Sequence, residues 1–328
     1  PQGLILGNSR AEVGFDPNNT AWPETARPVY NLALPGTGTH TTLLYLQHVL
    51  EAQKAIPPKV VVWGIDFMDF LTDQETHAVK GRVEKKDLRL LANPDGTRNP
   101  SRVIQQLRDG FEATFSLGAL FDSIATLKAQ QNPYSEDLTS LGFNPMRDYI
   151  KITSDEGYGS VFSQKDLANT RAFSKRPRDI FDASGATSPA LDDLRRVIKL
   201  CRKHNIDLRL VIFPYHAHLL EIIRLTGHWA AFENWKRAVV HIAYSEAISS
   251  NQPPIPLWDF SLFNKFTQSA VPNKGDKKSI NPWYWEAGHF KSGLGSNVLG
   301  QVFGKPMLAV GMGVRLDAKN VDTVLAEQ

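Results

Sequence analysis

Leu4-Ile-Leu-Gly-Asn-Ser-Arg10 is the stretch on which the fold turns. Three apolar residues run unbroken into Gly7, and a serine follows two positions later. A short run without polar alternation, closed by a glycine, is the pattern of a strand buried on both faces. Similar runs lie downstream at Val60 to Ile65, Leu208 to Phe213 and Ile255 to Trp258, with a weaker one at Val29 to Leu34. Between them the apolar period becomes helical. Leu43, Leu46 and Leu50 share a face within Thr41 to Ala55, and Leu191, Leu194, Val197, Ile198 and Cys201 share a side between Pro189 and His204. Buried strands alternating with helices predict an α/β fold, a three-layer α/β/α sandwich around a central, mainly parallel sheet of the flavodoxin-like kind. In such sheets ligands gather beyond the carboxyl ends of the strands, near the point where strand order reverses.

The chain reads as one domain over 1–328. From about 71 to 188 the alternation fails: the sequence is charged from Lys80 to Arg89, helical around Val103 to Gln131 and Gly/Ser-rich from Ser154 to Ser163. This stretch is expected to be an insertion or cap beside the site. The 37 basic and 34 acidic side chains nearly cancel, which excludes the broad cationic face that grips nucleic acid. Cys201 is the single cysteine and sits among apolar neighbours, so it reads as a buried structural thiol. No apolar run is long enough to span a bilayer. The chain opens on Pro1 with its first strand immediately after, and a targeting or anchoring segment upstream is expected.

Ser9, in a tight turn at the end of the first strand, stands where a nucleophile belongs, although such a serine also suits a helix cap. A serine hydroxyl needs an imidazole to take its proton, and the imidazole needs an acceptor to hold its tautomer. The loop Asn281-Pro-Trp-Tyr-Trp-Glu-Ala-Gly-His289 supplies both, with Glu286 three residues before His289. Asp259, ending the run Ile-Pro-Leu-Trp-Asp, competes with Glu286 as the orienting carboxylate. Backbone N–H groups of Ser9 and Gly36 are candidate oxyanion donors. Arg10 either holds an anionic group or pairs with Glu12 or Asp16. Trp283, Trp285 and Tyr215 are candidates to stack on substrate, and His216 to line the pocket. His216 and His218 have zinc-ligand spacing, but no third or fourth ligand accompanies them, so neither a metal nor another cofactor is expected.

Together LILGNSRAEVGFDP, YNLALPG, VVVWGIDFMDF, FPYHAHLLE and WYWEAGHFKSGLG resemble the SGNH/GDSL-like hydrolase superfamily over most of the chain. They are closest in kind to the SGNH-like proteins of bacterial exopolysaccharide O-acetylation systems. The resemblance implies Ser9 as nucleophile, His289 as base and Glu286, in place of the usual Asp, as orienter. It further implies an O-acetyltransferase or acetylesterase acting on an extracellular polysaccharide with an acetyl donor. A periplasmic, membrane-tethered setting follows from it, beside a membrane-bound O-acyltransferase as partner. Where the superfamily places an Asn oxyanion donor after the third strand, this chain has Gly64-Ile-Asp66, and an ionised Asp66 cannot donate. Either the hole has fewer donors or Asp66 holds Asn8 or a loop amide. That irregularity leaves open a different class of function, a non-catalytic polysaccharide-binding or assembly subunit.

Overall fold

The computed structural model describes residues 1–76, 89–115, 126, 132–135, 138–175, 177–182, 184–185, 188–305 and 311–328. The strands in chain order are β1 (Gly3–Leu6), β2 (Val29–Asn31), β3 (Val60–Ile65), β4 (Thr72–Asp73) and β5 (Arg178–Asp179). They continue with β6 (Asp207–Ile212), β7 (Leu257–Asp259), β8 (Tyr284–Glu286), β9 (His289–Phe290) and β10 (Val314–Leu316). The helices are α1 (Ser9–Gly14), α2 (Thr39–Ala52), α3 (Arg102–Phe115), α4 (Arg147–Glu156) and α5 (Tyr158–Ser174). After them come α6 (Pro189–Lys203), α7 (Ala217–Leu225), α8 (Trp229–Ser250), α9 (Ser292–Val302) and α10 (Val321–Ala326).

The main sheet runs β2-β1-β3-β6-β7-β10, parallel except for β10 at the edge. The chain steps outward from β1 to β2, then returns to the other side of β1 to lay down β3. The carboxyl ends of β1 and β3 therefore flank the reversal of strand order, where an open α/β sheet forms its cleft. Both strands are buried along their whole length, as unbroken apolar runs in a parallel sheet require. Helix α2 packs on α6 and α6 on α8, while α1 packs on α9. These two helix groups are compatible with the three layers expected.

Two strand boundaries differ from expectation for local reasons. β2 stops at Asn31, not Leu34. The Asn31 amide turns back and donates to the carbonyls of Ala11, Glu12 and Phe15 (3.0, 3.2 and 2.9 Å), while its Oδ1 accepts from Ala33 N–H (3.0 Å). β7 starts at Leu257, because Pro254 and Pro256 bracket Ile255 and have no N–H for the ladder.

Within 71–188, the Gly/Ser-rich stretch from Ser154 to Ser163 is largely helical. It holds the end of α4 and the start of α5, which meet at Gly157 with φ 83°. Helix α3 begins at Arg102 as expected, and 116–125 and 127–131 of that expectation lie outside the described residues, as does most of the charged run. β4 and β5 pair antiparallel, and α5 packs on α7 and on β8. The segment thus reaches the hairpin that carries His289. Cys201 is wholly buried in α6, where burial pushes its thiol up to about 12 and leaves it without thiolate character. Among the described residues no helix is long and apolar enough to cross a membrane.

Candidate active site

The turn after β1 is built to present a serine. Gly7 has φ 142°, and a Cβ there would lie 2.8 Å from Gly64 O and 2.9 Å from the Ala11 Cβ, so only glycine passes between β3 and α1. Asn8 then caps α1, its Oδ1 accepting from Arg10 N–H (3.0 Å). Its Nδ2 donates to both Asp66 (2.7 Å) and Asp69 (2.8 Å), carboxylates that follow β3. This pins the turn across the switch point and leaves Ser9, first residue of α1, partly exposed.

His289 arrives from the far end of the chain on the β8–β9 hairpin. Tyr284 is fully buried and donates to Pro214 O (2.9 Å), while the Asn281 side chain accepts from the N–H groups of Trp283 and Tyr284 (2.9 Å each). Lys291 closes the loop by donating to Asn281 O and Tyr158 Oη (2.7 Å each). So held, His289 Nε2 lies 2.8 Å from Ser9 Oγ, and His289 Nδ1 hydrogen-bonds Glu286 Oε1. A carboxylate only accepts, which assigns the proton to Nδ1 and makes Nε2 the acceptor for the serine hydroxyl.

The carboxylate is buried (2% exposed) while the imidazole keeps 24% exposure. Burial alone would raise the Glu286 pKa, but His289, the Gly288 N–H on Oε2 (2.7 Å) and Arg10 outweigh it and hold it at about 2. Glu286 is therefore an anion across the physiological range. Such a line can draw a proton from Ser9 and stabilise the imidazolium that forms.

The other sequence candidates fall into different places. Asp259 does not meet His289: it is wholly buried in an ion pair with Lys236 (2.8 Å), and its Oδ1 accepts from Ser261 N–H and Oγ (2.8 and 2.6 Å). Asp66 is a hub, not a donor; it accepts from Asn8, from Tyr215 Oη (2.8 Å) and from Met68 N–H (3.2 Å), and it pairs with Arg10. Arg10 is accordingly paired with neither Glu12 nor Asp16. Its guanidinium is buried and also donates to Gly288 O (2.7 Å).

Tyr215 is 1% exposed, with its hydroxyl taken by Asp66 and by Phe67 N–H (3.0 Å), so it presents nothing to a substrate. His216 is 2% exposed and caps α7, its Nδ1 accepting from His218 N–H and its Nε2 donating to Ser269 O (2.9 Å). Trp283 packs edge-on to Phe266 (5.0 Å), and Trp285 lies between Tyr149 (6.3 Å) and the Lys291 ammonium (4.6 Å). Both rings brace the hairpin and are half-buried. Gly36 sits in an exposed turn with φ 71°, and Leu34 N–H, two residues before it, donates to Gly7 O (3.0 Å), two residues before Ser9. Among the described residues no group of His, Cys, Asp and Glu is arranged to hold a metal.

Sequence reasoning missed Asp69 and the carbonyl of Gly288, and it took Glu12 only as a partner for Arg10. Glu12 lies one turn after Ser9, and its pKa is raised by burial against the pull of His289 and Asn144. Its i, i+3 spacing from Ser9 was the available signal. Compared with known proteins, the chain matches no family model and no curated relative.

Acid should lower the stability of this protein in two pH windows. Burial is the main cause that lowers His216 from 6.5 to about 4, so the unfolded chain binds a proton that the folded one refuses. The His216 contribution is then flat above pH 6.5 and costs up to about 3 kcal/mol as pH drops toward 4. Glu286 acts lower: its depressed pKa stabilises the fold above pH 4.5, and that contribution is lost as pH falls toward 2. Urea unfolding measured against pH should show the upper window flattened in His216→Asn, whose amide can still cap α7. An unchanged slope in that variant would remove His216 from the account.

Proposed function

We propose that the chain is a serine-dependent acyl-ester enzyme of the SGNH hydrolase kind, an O-acetyltransferase or acetylesterase working on a bacterial extracellular polysaccharide through acyl-Ser9. The observation that supports this most is the line Ser9, His289, Glu286 at the switch point of the sheet. As Ser9 Oγ attacks the acyl carbonyl, His289 Nε2 takes its proton and Glu286 holds the imidazolium. The N–H groups of Ser9 and Gly36 receive the oxyanion. His289 then returns the proton to the departing alkoxide, leaving acyl-Ser9. A sugar hydroxyl or water next loses its proton to His289 and attacks the acyl-serine, and Ser9 recovers its proton on release. Transferase and esterase differ only in that last acceptor.

The polysaccharide, the acetyl donor, the acyltransferase partner and the periplasmic setting rest on the sequence resemblance. A purely binding subunit would have no use for a buried carboxylate aligned on an imidazole that in turn meets a serine. The test is to quench the protein during turnover of p-nitrophenyl acetate and map the adduct. An acetyl group on the Ser9 peptide is expected; no p-nitrophenol release together with an unmodified Ser9 would sink the reading.

A further inference from the structure

Ser9 and His289 are separated by almost the whole chain, yet the residue that follows Ser9 reaches the loop that carries His289. Arg10 Nε donates to Gly288 O at 2.7 Å, and its Nη1 pairs with Asp66 at the end of β3. Gly288 is held at both of the peptide units it joins: the carbonyl of the Gly288–His289 unit by Arg10, and the N–H of the Ala287–Gly288 unit by Glu286 Oε2 at 2.7 Å. A rotation at the Gly288 Cα, which joins the two units, would displace the N–H that holds the carboxylate against His289. Asp66 is itself fixed by Asn8, Met68 N–H and Tyr215, and the Tyr215 ring lies 5.4 Å below the guanidinium. The whole assembly is buried, with side-chain exposure of 10% for Arg10 and 3% for Asp66. Desolvated charges of this kind are tolerated when their geometry and hydrogen bonds are well satisfied, and they are often retained where a unique arrangement matters.

We infer that Arg10 is a positioning residue, a strut that sets the distance and angle between the Ser9 turn and the His289 hairpin through Asp66 and Gly288. A planar guanidinium can serve both partners at once; a lysine ammonium is a point charge that can stay with Asp66 but has no second fixed arm for Gly288. The kinetic part of the test rests on the serine-ester reading, whereas the spectroscopic part does not.

In Arg10→Lys, kcat for p-nitrophenyl acetate is expected to fall about 30- to 100-fold while KM changes less than about twofold, as loss of alignment without loss of binding predicts. The downfield proton resonance of His289 Nδ1–H, held by Glu286, is expected to shift or broaden in the same variant. In Arg10→Ala, added guanidinium but not ammonium at equal ionic strength should recover part of kcat. Arg10→Lys with wild-type kcat and an unmoved Nδ1–H resonance would overturn the inference, even where Arg10→Ala does not fold. Should the unaltered protein lack turnover, the ester reading fails, and the resonance in Arg10→Lys still decides the strut.

Discussion

In Ser9→Ala, turnover of p-nitrophenyl acetate is expected to fall by about 10^5- to 10^6-fold with an unfolding transition close to wild type, and in Glu286→Gln turnover is expected to fall by about 10^4-fold, assayed below that variant's lowered unfolding transition. The two losses have different causes. Ser9→Ala removes the atom that forms the acyl-enzyme, leaving whatever rate the oxyanion donors and binding supply. Glu286→Gln keeps the shape but replaces an acceptor by an amide that can donate to Nδ1, favouring the tautomer with its proton on Nε2. That nitrogen then cannot accept from Ser9 Oγ across the 2.8 Å that now separates them. The double variant should be no slower than Ser9→Ala alone, since residues acting as a unit are not additive. Measuring kcat and KM for the three proteins checks this; turnover within tenfold of wild type in Glu286→Gln would remove the carboxylate from the mechanism.

Asp259→Ala is expected to leave kcat near wild type and to lower stability by about 3–5 kcal/mol. Asp259 and Lys236 are both 0% exposed and 2.8 Å apart, and Lys236 Nζ also donates to Gln328 Oε1 (2.6 Å). Burial pushes the Lys236 ammonium toward its neutral form, and Asp259 is the main opposing influence. Without the carboxylate, the Lys236 amine would keep only the Gln328 amide oxygen and the Phe232 ring face, 4.3 Å away, in an apolar interior. The Ser261 N–H and hydroxyl would also lose their shared acceptor. Urea denaturation gives the stability and p-nitrophenyl acetate the chemistry, assayed well below the lowered melting point. A large loss of kcat with unchanged stability would return Asp259 to the role of orienting acid.

These two carboxylates mark where sequence reading stopped. Both end strands near aromatic residues, and both lie in the last quarter of the chain, so the three-residue spacing to His289 put Glu286 first without removing Asp259. What separates them is direction: β8 turns straight back into β9, which folds His289 onto Glu286, whereas β7 is flanked by β6 and β10 and sends Asp259 toward α8. The exposed role expected for Tyr215 and His216 failed for a related reason. Residues just past a strand end can face the cleft or the core, and here the hydroxyl and the imidazole are consumed inside, by Asp66, Phe67, Ser269 and the α7 cap.

By itself the sequence determined the α/β class, the strands β1, β3 and β6, the helix that buries Cys201, and Ser9 and His289 as the residues to watch. Those features depend on local signals, apolar runs of one period and a glycine turn before a serine, which survive without knowledge of what packs where. Only the tertiary structure decided the strand order that places β1 and β3 at the switch point. It also decided the choice of Glu286 over Asp259, the conversion of Asp66 from missing donor to anchor of Asn8, and the pairing of Arg10 with Asp66 and Gly288. Except for Glu286, three residues from His289, these are contacts between residues tens to hundreds of positions apart, where burial and hydrogen-bond direction, not residue type, choose among partners that look equivalent along the chain.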